Sequence, residues 1–244
     1  MRILCMLPAG KGVYPPEAEE RRLNVMRAYS TADTQVDADY MPGISGFSPW
    51  GGREPRDQNA VNAGLTNAAE LSAQRAVQAE KDGYDAFCPY GTLDIGVREA
   101  RTRVKIPVVG QSEACFLFCK LLDRPFAGCF YMPGGEGRFH AWARDAGADD
   151  LYVTDTAIGI PNSEYPQRRQ EVLERFVACT KEAKAKGAEL MGLIAMSICP
   201  GEFSARELTE ASGFPVLDAL ACQIAMAEWW HRTQLPPSLL HIPR

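Results

Sequence analysis

Short apolar runs alternate with longer amphipathic ones along most of this 244-residue chain. That alternation constrains the fold more than any other feature. A strand buried on both faces reads as a near-continuous apolar run, and the return to a parallel neighbour takes a helical crossover. Strands are expected at residues 2–7, 34–40, 86–88, 107–109, 127–131, 150–153, 190–195 and 215–217. Helices are expected over 59–81, 166–186 and 218–233. The first carries Val61, Leu65, Ala68 and Ala76 at near-helical spacing and stops at Gly83. The second carries Val172, Leu173, Phe176, Val177 and Thr180 and stops at Gly187. The third turns Leu220, Ile224 and Trp229 inward, with Asp218 at its start as cap or dipole partner.

The chain echoes itself. Lys81 to Phe87, followed by Gly91-Thr92, has the same order of helix, glycine, strand and small-residue turn as Ala185 to Leu190, followed by Cys199-Pro200-Gly201. The expected architecture is α/β, with two pseudo-symmetric lobes, each a parallel sheet flanked by helices. Ligands bind at strand ends in such sheets, so the active site is expected in the cleft between the lobes. The first lobe would comprise residues 1–109 plus the returning helix in 219–244, and the second residues 110–218. The segment 42–57, rich in Gly, Pro and Ser and containing Trp50, reads either as a substrate wall or as an excursion that meets another subunit.

Several function classes are excluded by composition. With 26 basic and 31 acidic residues the chain has no cationic surplus for phosphate neutralisation, so no nucleic-acid partner is expected. The charge-free stretches 40–52 and 190–201 are too short to span a bilayer, and the N-terminus reads as a strand rather than a secretory signal. Eight cysteines in such a chain are expected to be reduced thiols in the cytoplasm. They form no Cys-x-x-Cys pair, and His140, His231 and His241 fall at no metal-ligand spacing, so no metal is expected. The glycine clusters at 8–12 and 134–137 complete neither nucleotide-binding fingerprint. A Gly-x-Ser-x-Gly elbow is missing as well.

Cys199 is the strongest chemical candidate. It follows the apolar run 190–195 and precedes Gly201 and a helix starting near Ser204 or Ala205. Free N–H groups and the helix dipole at such a start would stabilise a thiolate, although a buried structural cysteine is the alternative. The turn from Gly91 to Gly96 leaves a strand and opens a helix near Val97, and Thr92 places a hydroxyl there. Such a turn suits a carboxylate or enolate oxygen, or is a plain connection. Glu113 could orient a site or cap a helix. Thr154, Asp155 and Thr156 follow an expected strand end and could line the second lobe.

Taken together, these residues resemble the Asp/Glu/hydantoin racemase superfamily, nearest its hydantoin and allantoin racemase branch. The resemblance is carried by Gly83-Tyr84-Asp85-Ala86-Phe87, Asp94-x-Gly96, Arg98-Glu99-Ala100, Ile106-Pro107-Val108-Val109-Gly110 and Glu113-Ala114. In the second half it is carried by Leu193 to Cys199, Gly201, and Phe214-Pro215-Val216-Leu217-Asp218. It implies cofactor-independent racemisation or isomerisation at the acidic carbon of a small carboxylate or cyclic imide. In that family two cysteines face each other across the carbon. Cys199 matches the second, but the first falls on Gly91. Cys88 lies three residues earlier, about 10 Å back along the strand, and faces the other way.

Gly91-Thr92 is similar to the pair that arylmalonate decarboxylases of the same superfamily carry there, and Leu7-Pro8-Ala9 resembles their first turn. A single-cysteine decarboxylase or lyase is therefore the alternative, and a non-catalytic ligand-binding homologue a second. Cys199 is the expected proton carrier. Pro8, Gly91, Thr92, Asp94, Glu113, Gly201 and Glu202 are the expected substrate-binding residues, with Gly201 and Glu202 supplying backbone N–H donors. The chain is expected to self-associate, Trp50 and Trp230 being candidate contacts.

Overall fold

The structure is a computed structural model that describes residues 1–7, 10, 16–41, 58–131 and 136–234. In chain order the elements are β1 (Arg2–Leu7), α1 (Pro16–Ala28), β2 (Gln35–Tyr40), α2 (Gln58–Lys81), β3 (Ala86–Pro89), α3 (Val97–Arg101), α4 (Gln111–Leu122), β4 (Phe126–Phe130), α5 (Glu136–Asp145), β5 (Tyr152–Ala157), a 3-10 turn (Asn162–Glu164), α6 (Arg169–Ala185), β6 (Leu190–Ile194), α7 (Ala205–Ser212) and α8 (Ala219–Thr233). Two compact units result, Met1–Gln111 with Gln223–Arg244, and Ser112–Cys222. The chain passes between them inside α4 and again inside α8.

In the first unit the sheet runs β2-β1-β3, all parallel, with Ile3 opposite both Val36 and Ala86. β1 is buried along Ile3 to Leu7, as the central strand of a covered parallel sheet must be. Leu4, Met6 and Phe87 share a core with Ala68, Ala73, Ala76 and Ala79 of α2 and with Val97 and Ala100 of α3. Small residues at helical spacing let α2 approach the sheet closely. In the second unit the order is β5-β4-β6, again parallel. There Tyr152 packs edge to face against Phe116 and Phe126, whose own rings are tilted at 42°, with centroids 5.1–6.0 Å apart in all three pairs. The α/β class with two parallel, helix-flanked sheets is thus as expected.

Three expectations change. The segments 107–109 and 215–217 each reduce to one parallel bridge, Phe87 with Val108 and Met191 with Val216. Pro107 and Pro215 have no N–H to extend a ladder, so each contributes only its carbonyl, to Phe87 N (2.9 Å) and to Met191 N (2.9 Å). β5 starts two residues late and ends four residues late, which puts Thr154, Asp155 and Thr156 inside the strand opposite Ala127, Gly128 and Cys129. β-branched threonines fit a pleated surface, and Thr156 Oγ1 donates to the Gly128 carbonyl (2.9 Å), so polarity did not end the strand. Trp229 is 54% exposed, whereas Leu220 and Ile224 are fully buried. Nine residues separate Trp229 from Leu220, which is about half a turn out of phase. The segment 42–57 with Trp50, the glycines 134–135 and His241 lie outside the described residues. No helix among the described residues is long and apolar enough to cross a membrane.

Candidate functional site

Each unit places a turn at the end of a strand. In the first, β3 ends at Pro89 and the chain enters the turn from Gly91 to Gly96 before α3. Asp94 N–H donates to the Gly91 carbonyl and Val97 N–H to the Asp94 carbonyl, both at 3.2 Å. Gly91 has φ +136, a backbone conformation that suits glycine and strains any side chain. Position 91 is therefore shaped for a residue without a Cβ. Asp94 takes φ +48, tolerable for a short polar residue, and its carboxylate lies against Gly110. A Cβ on Gly110 would sit 2.5–2.8 Å from Asp94 Cγ and its two oxygens. Thr92 is buried beside these groups, and Glu113 lies in the first turn of α4. Pro8 lies outside the described residues.

Gln111 is a residue that sequence reasoning missed. It is fully buried, and its Oε1 accepts the Gly91 N–H at 2.7 Å. A second buried glutamine, Gln223 on α8, donates from Nε2 to the Pro89 carbonyl (2.8 Å) and the Val109 carbonyl (2.7 Å). The turn is thus pinned from two sides by side-chain amides. Replacing Gln111 with methionine keeps its length but removes the acceptor, and should lower the urea-unfolding free energy by about 1–2 kcal/mol. An unchanged unfolding midpoint would show that the Gly91 N–H finds another partner at no cost.

In the second unit β6 ends at Ile194, and the chain winds through tight turns to Ser204, which caps α7. Cys199 sits in these turns and is 1% exposed. Its N–H donates to the Ala195 carbonyl (3.1 Å), and its peptide bond to Pro200 is cis. Its Sγ donates to Asp218 Oδ2 at 3.7 Å. The other carboxylate oxygen, Asp218 Oδ1, accepts from the backbone N–H of Leu220 (2.9 Å) and Ala221 (3.2 Å), so Asp218 caps α8.

These contacts change the expected electrostatics. Burial pushes the Cys199 thiol well above its ordinary value, the Asp218 carboxylate adds to the effect, and Glu207 adds less. Two of the N–H groups at the start of α7 are taken up by its own capping box. Ser204 Oγ accepts the Glu207 N–H (3.1 Å), while the Glu207 carboxylate accepts the Ser204 N–H (2.8 Å). The proposed donors of the second turn are engaged too. Gly201 N–H donates to the Met196 carbonyl (2.9 Å) and Glu202 N–H to the Ile198 carbonyl (3.2 Å). The Glu202 carboxylate is paired with Arg169 of α6 (3.2 Å), whose guanidinium also lies 4.2 Å from the centre of the Phe203 ring. Gly201 serves the turn sterically, since a Cβ there would lie 2.4 Å from the Met196 carbonyl oxygen. In β5 the Asp155 carboxylate accepts from the Tyr152 hydroxyl. Among the described residues no group of three or more His, Cys, Asp or Glu is arranged to hold a metal ion.

No family model matches the chain. A hydantoin racemase of Rhizobium meliloti is 28% identical over 155 residues, and the chain covers 62% of that relative's length with 62% of its own. The allantoin racemase structure from Pseudomonas fluorescens superposes with a TM-score of 0.81 at 19% identity, over 100% of this chain and 97% of that one. The chain is thus similar in sequence to a hydantoin racemase and shares the fold of the allantoin racemase structure. A structure of arylmalonate decarboxylase is similar to it as well, with a TM-score of 0.56 at 15% identity over 96% of this chain and 94% of that one. The same fold is shared by structures with racemase and decarboxylase names.

Proposed function

We propose that this chain is a cofactor-independent racemase or related isomerase that transfers a proton at the acidic carbon of a small carboxylate or cyclic imide. Cys199 is the proton carrier in this reading. The observation that carries it is a solvent-excluded thiol at the end of β6, bonded to a carboxylate, in a chain related to a hydantoin racemase. A buried thiol exchanges little with water and is available to a bound carbon acid. When it gives up its proton, the S–H electron pair stays on sulfur and the substrate's enolate pair forms the new C–H bond. The Gly91, Gly201 and Glu202 N–H groups are already bonded within the protein, so none of them is assigned to the developing charge. The eight free cysteines suit a reducing, cytoplasmic compartment.

A second reading is favoured by Gly91. Two-sided racemisation needs a proton carrier on each face, and this position has no side chain and a backbone that resists one. A decarboxylase forms its carbanion by losing CO2 and needs one donor only. Proton NMR in D2O on chiral hydantoins and substituted malonates separates the two. Deuterium at the acidic carbon with loss of optical activity is the expected result for an isomerase. CO2 release with deuterium on one face would assign a lyase. If the full panel returned unlabelled, both proton-transfer readings would be overturned.

A further inference from the structure

Asp218 does two things at once. Its Oδ1 holds the first N–H groups of α8 at 2.9 and 3.2 Å, and its Oδ2 stands 3.7 Å from Cys199 Sγ. Nineteen positions separate the two residues in the chain, so the contact is made by the fold and not by a local turn. Cap duty alone uses one carboxylate oxygen, and asparagine or serine would perform it about as well. Neither would place a negative charge beside the thiol. We propose that Asp218 is a positioning residue whose Oδ2 accepts the Cys199 thiol hydrogen and keeps Cys199 in its protonated form, so that the reaction starts with a proton donor on this side.

This inference rests on the proton-transfer reading above and adds a direction to it. A residue held as thiol protonates a carbanion; it does not begin by abstracting a proton. In the forward step the S–H bond breaks with its pair left on sulfur, and the substrate carbanion's pair forms the C–H bond. The resulting thiolate lies beside a carboxylate, so its reprotonation by water that enters when the product leaves is favoured, and the donor is reset with hydroxide released. Other charges facing the thiol are accounted for. Glu207 of α7 is ion-paired with Arg169 of α6 (3.0 Å), which also holds Glu202 of the thiol's own turn (3.2 Å). Asp218 is the carboxylate that bonds the sulfur directly.

The test is a thiolate titration followed by ultraviolet absorbance, with Cys199→Ala spectra subtracted to isolate one thiol. Asp218→Asn and Asp218→Ser both retain a helix cap, so either can serve if the other fails to fold. The expected result is a Cys199 midpoint at least about one pH unit lower in both variants, a tenfold larger thiolate fraction at a pH below both midpoints. Burial and the carboxylate both hold the proton on in the folded wild type. Its thiol should therefore ionise only above the ordinary value of 9.0, and removing the charge moves ionisation down. Identical midpoints in wild type and variants would overturn the proposal. So would a wild-type midpoint below the ordinary thiol value, which needs no variant at all. Activity reports separately: a shift without proton exchange in the wild type would sink the proposed function, and exchange without a shift would sink the role of Asp218.

Discussion

Cys199→Ala is expected to slow proton exchange at the substrate carbon by about 10²–10⁴-fold, the usual contribution of a positioned general acid. The protein should remain folded. The change deletes one sulfur atom from a packed turn, a loss on the order of 1 kcal/mol. The turn's backbone bonds, Ile198 N–H and Cys199 N–H to the Ala195 carbonyl and Gly201 N–H to the Met196 carbonyl, do not involve the side chain. Asp218 keeps its two bonds to the start of α8. Cys199→Ser is the informative companion. It restores a donor to Asp218 Oδ2 but offers a far weaker acid, so it should resemble alanine in rate and the wild type in melting temperature. The check is exchange measured by NMR alongside thermal unfolding. Alanine within tenfold of the wild type would remove Cys199 from the chemistry.

Gly201→Ala should be the most damaging single methyl group in the second unit. The added Cβ would lie 2.4 Å from the Met196 oxygen and 3.0 and 3.1 Å from Ser197 O and C, all of them backbone atoms. No side chain can rotate away to relieve this, so the turn has to shift. Overpacking of this kind costs about 1–3 kcal/mol. For a chain of this size about 2–4 °C of melting temperature goes with each kcal/mol. The shift would carry Cys199 with it, two residues away, and a displacement near 1 Å can lower turnover about 10²-fold. Gly213→Asn is the contrast. A Cβ at Gly213 meets nothing within 4 Å, and asparagine tolerates its φ of +62, so little loss is expected. If both variants melted together near the wild type, the crowding around Gly201 would have no energetic weight.

The sequence made the alternation of strand and crossover legible because local chemistry dictates it. β1 is an apolar run with both faces covered, and α2 and α6 end where Gly83 (φ +79) and Gly187 (φ +100) can turn the chain left-handed. The start of α7 near Ser204 was legible in the same way, and the structure adds its capping box with Glu207. What stayed hidden depends on partners far along the chain. Thr154-Asp155-Thr156 reads as a loop until Gly128 and Tyr152 make room and bonds for it. The Gln111 bond to Gly91 spans 20 positions, and no periodicity signals it. Asp218 was legible as a cap but not as the thiol's partner, because the cap is local and the 3.7 Å contact is not. The sign of the electrostatics at Cys199 followed from that omission. A thiol near a helix start suggests a stabilised anion, whereas burial and a neighbouring carboxylate hold it neutral.

The placement of the cysteines gives the molecule a built-in recorder of its own opening. All eight thiols are buried, Cys5 and Cys88 in the first unit, and Cys115, Cys119, Cys129, Cys179, Cys199 and Cys222 in the second. A thiol reagent in solution therefore marks a residue only after the surrounding structure has parted. Because the two sets fall in separate units, the order in which labelled peptides accumulate tells which unit loosens first. With a reagent slower than reclosing, the rate at each site measures the free energy of that opening. Local stability along the chain can be mapped in this way on the protein's own cysteines, with no residue replaced.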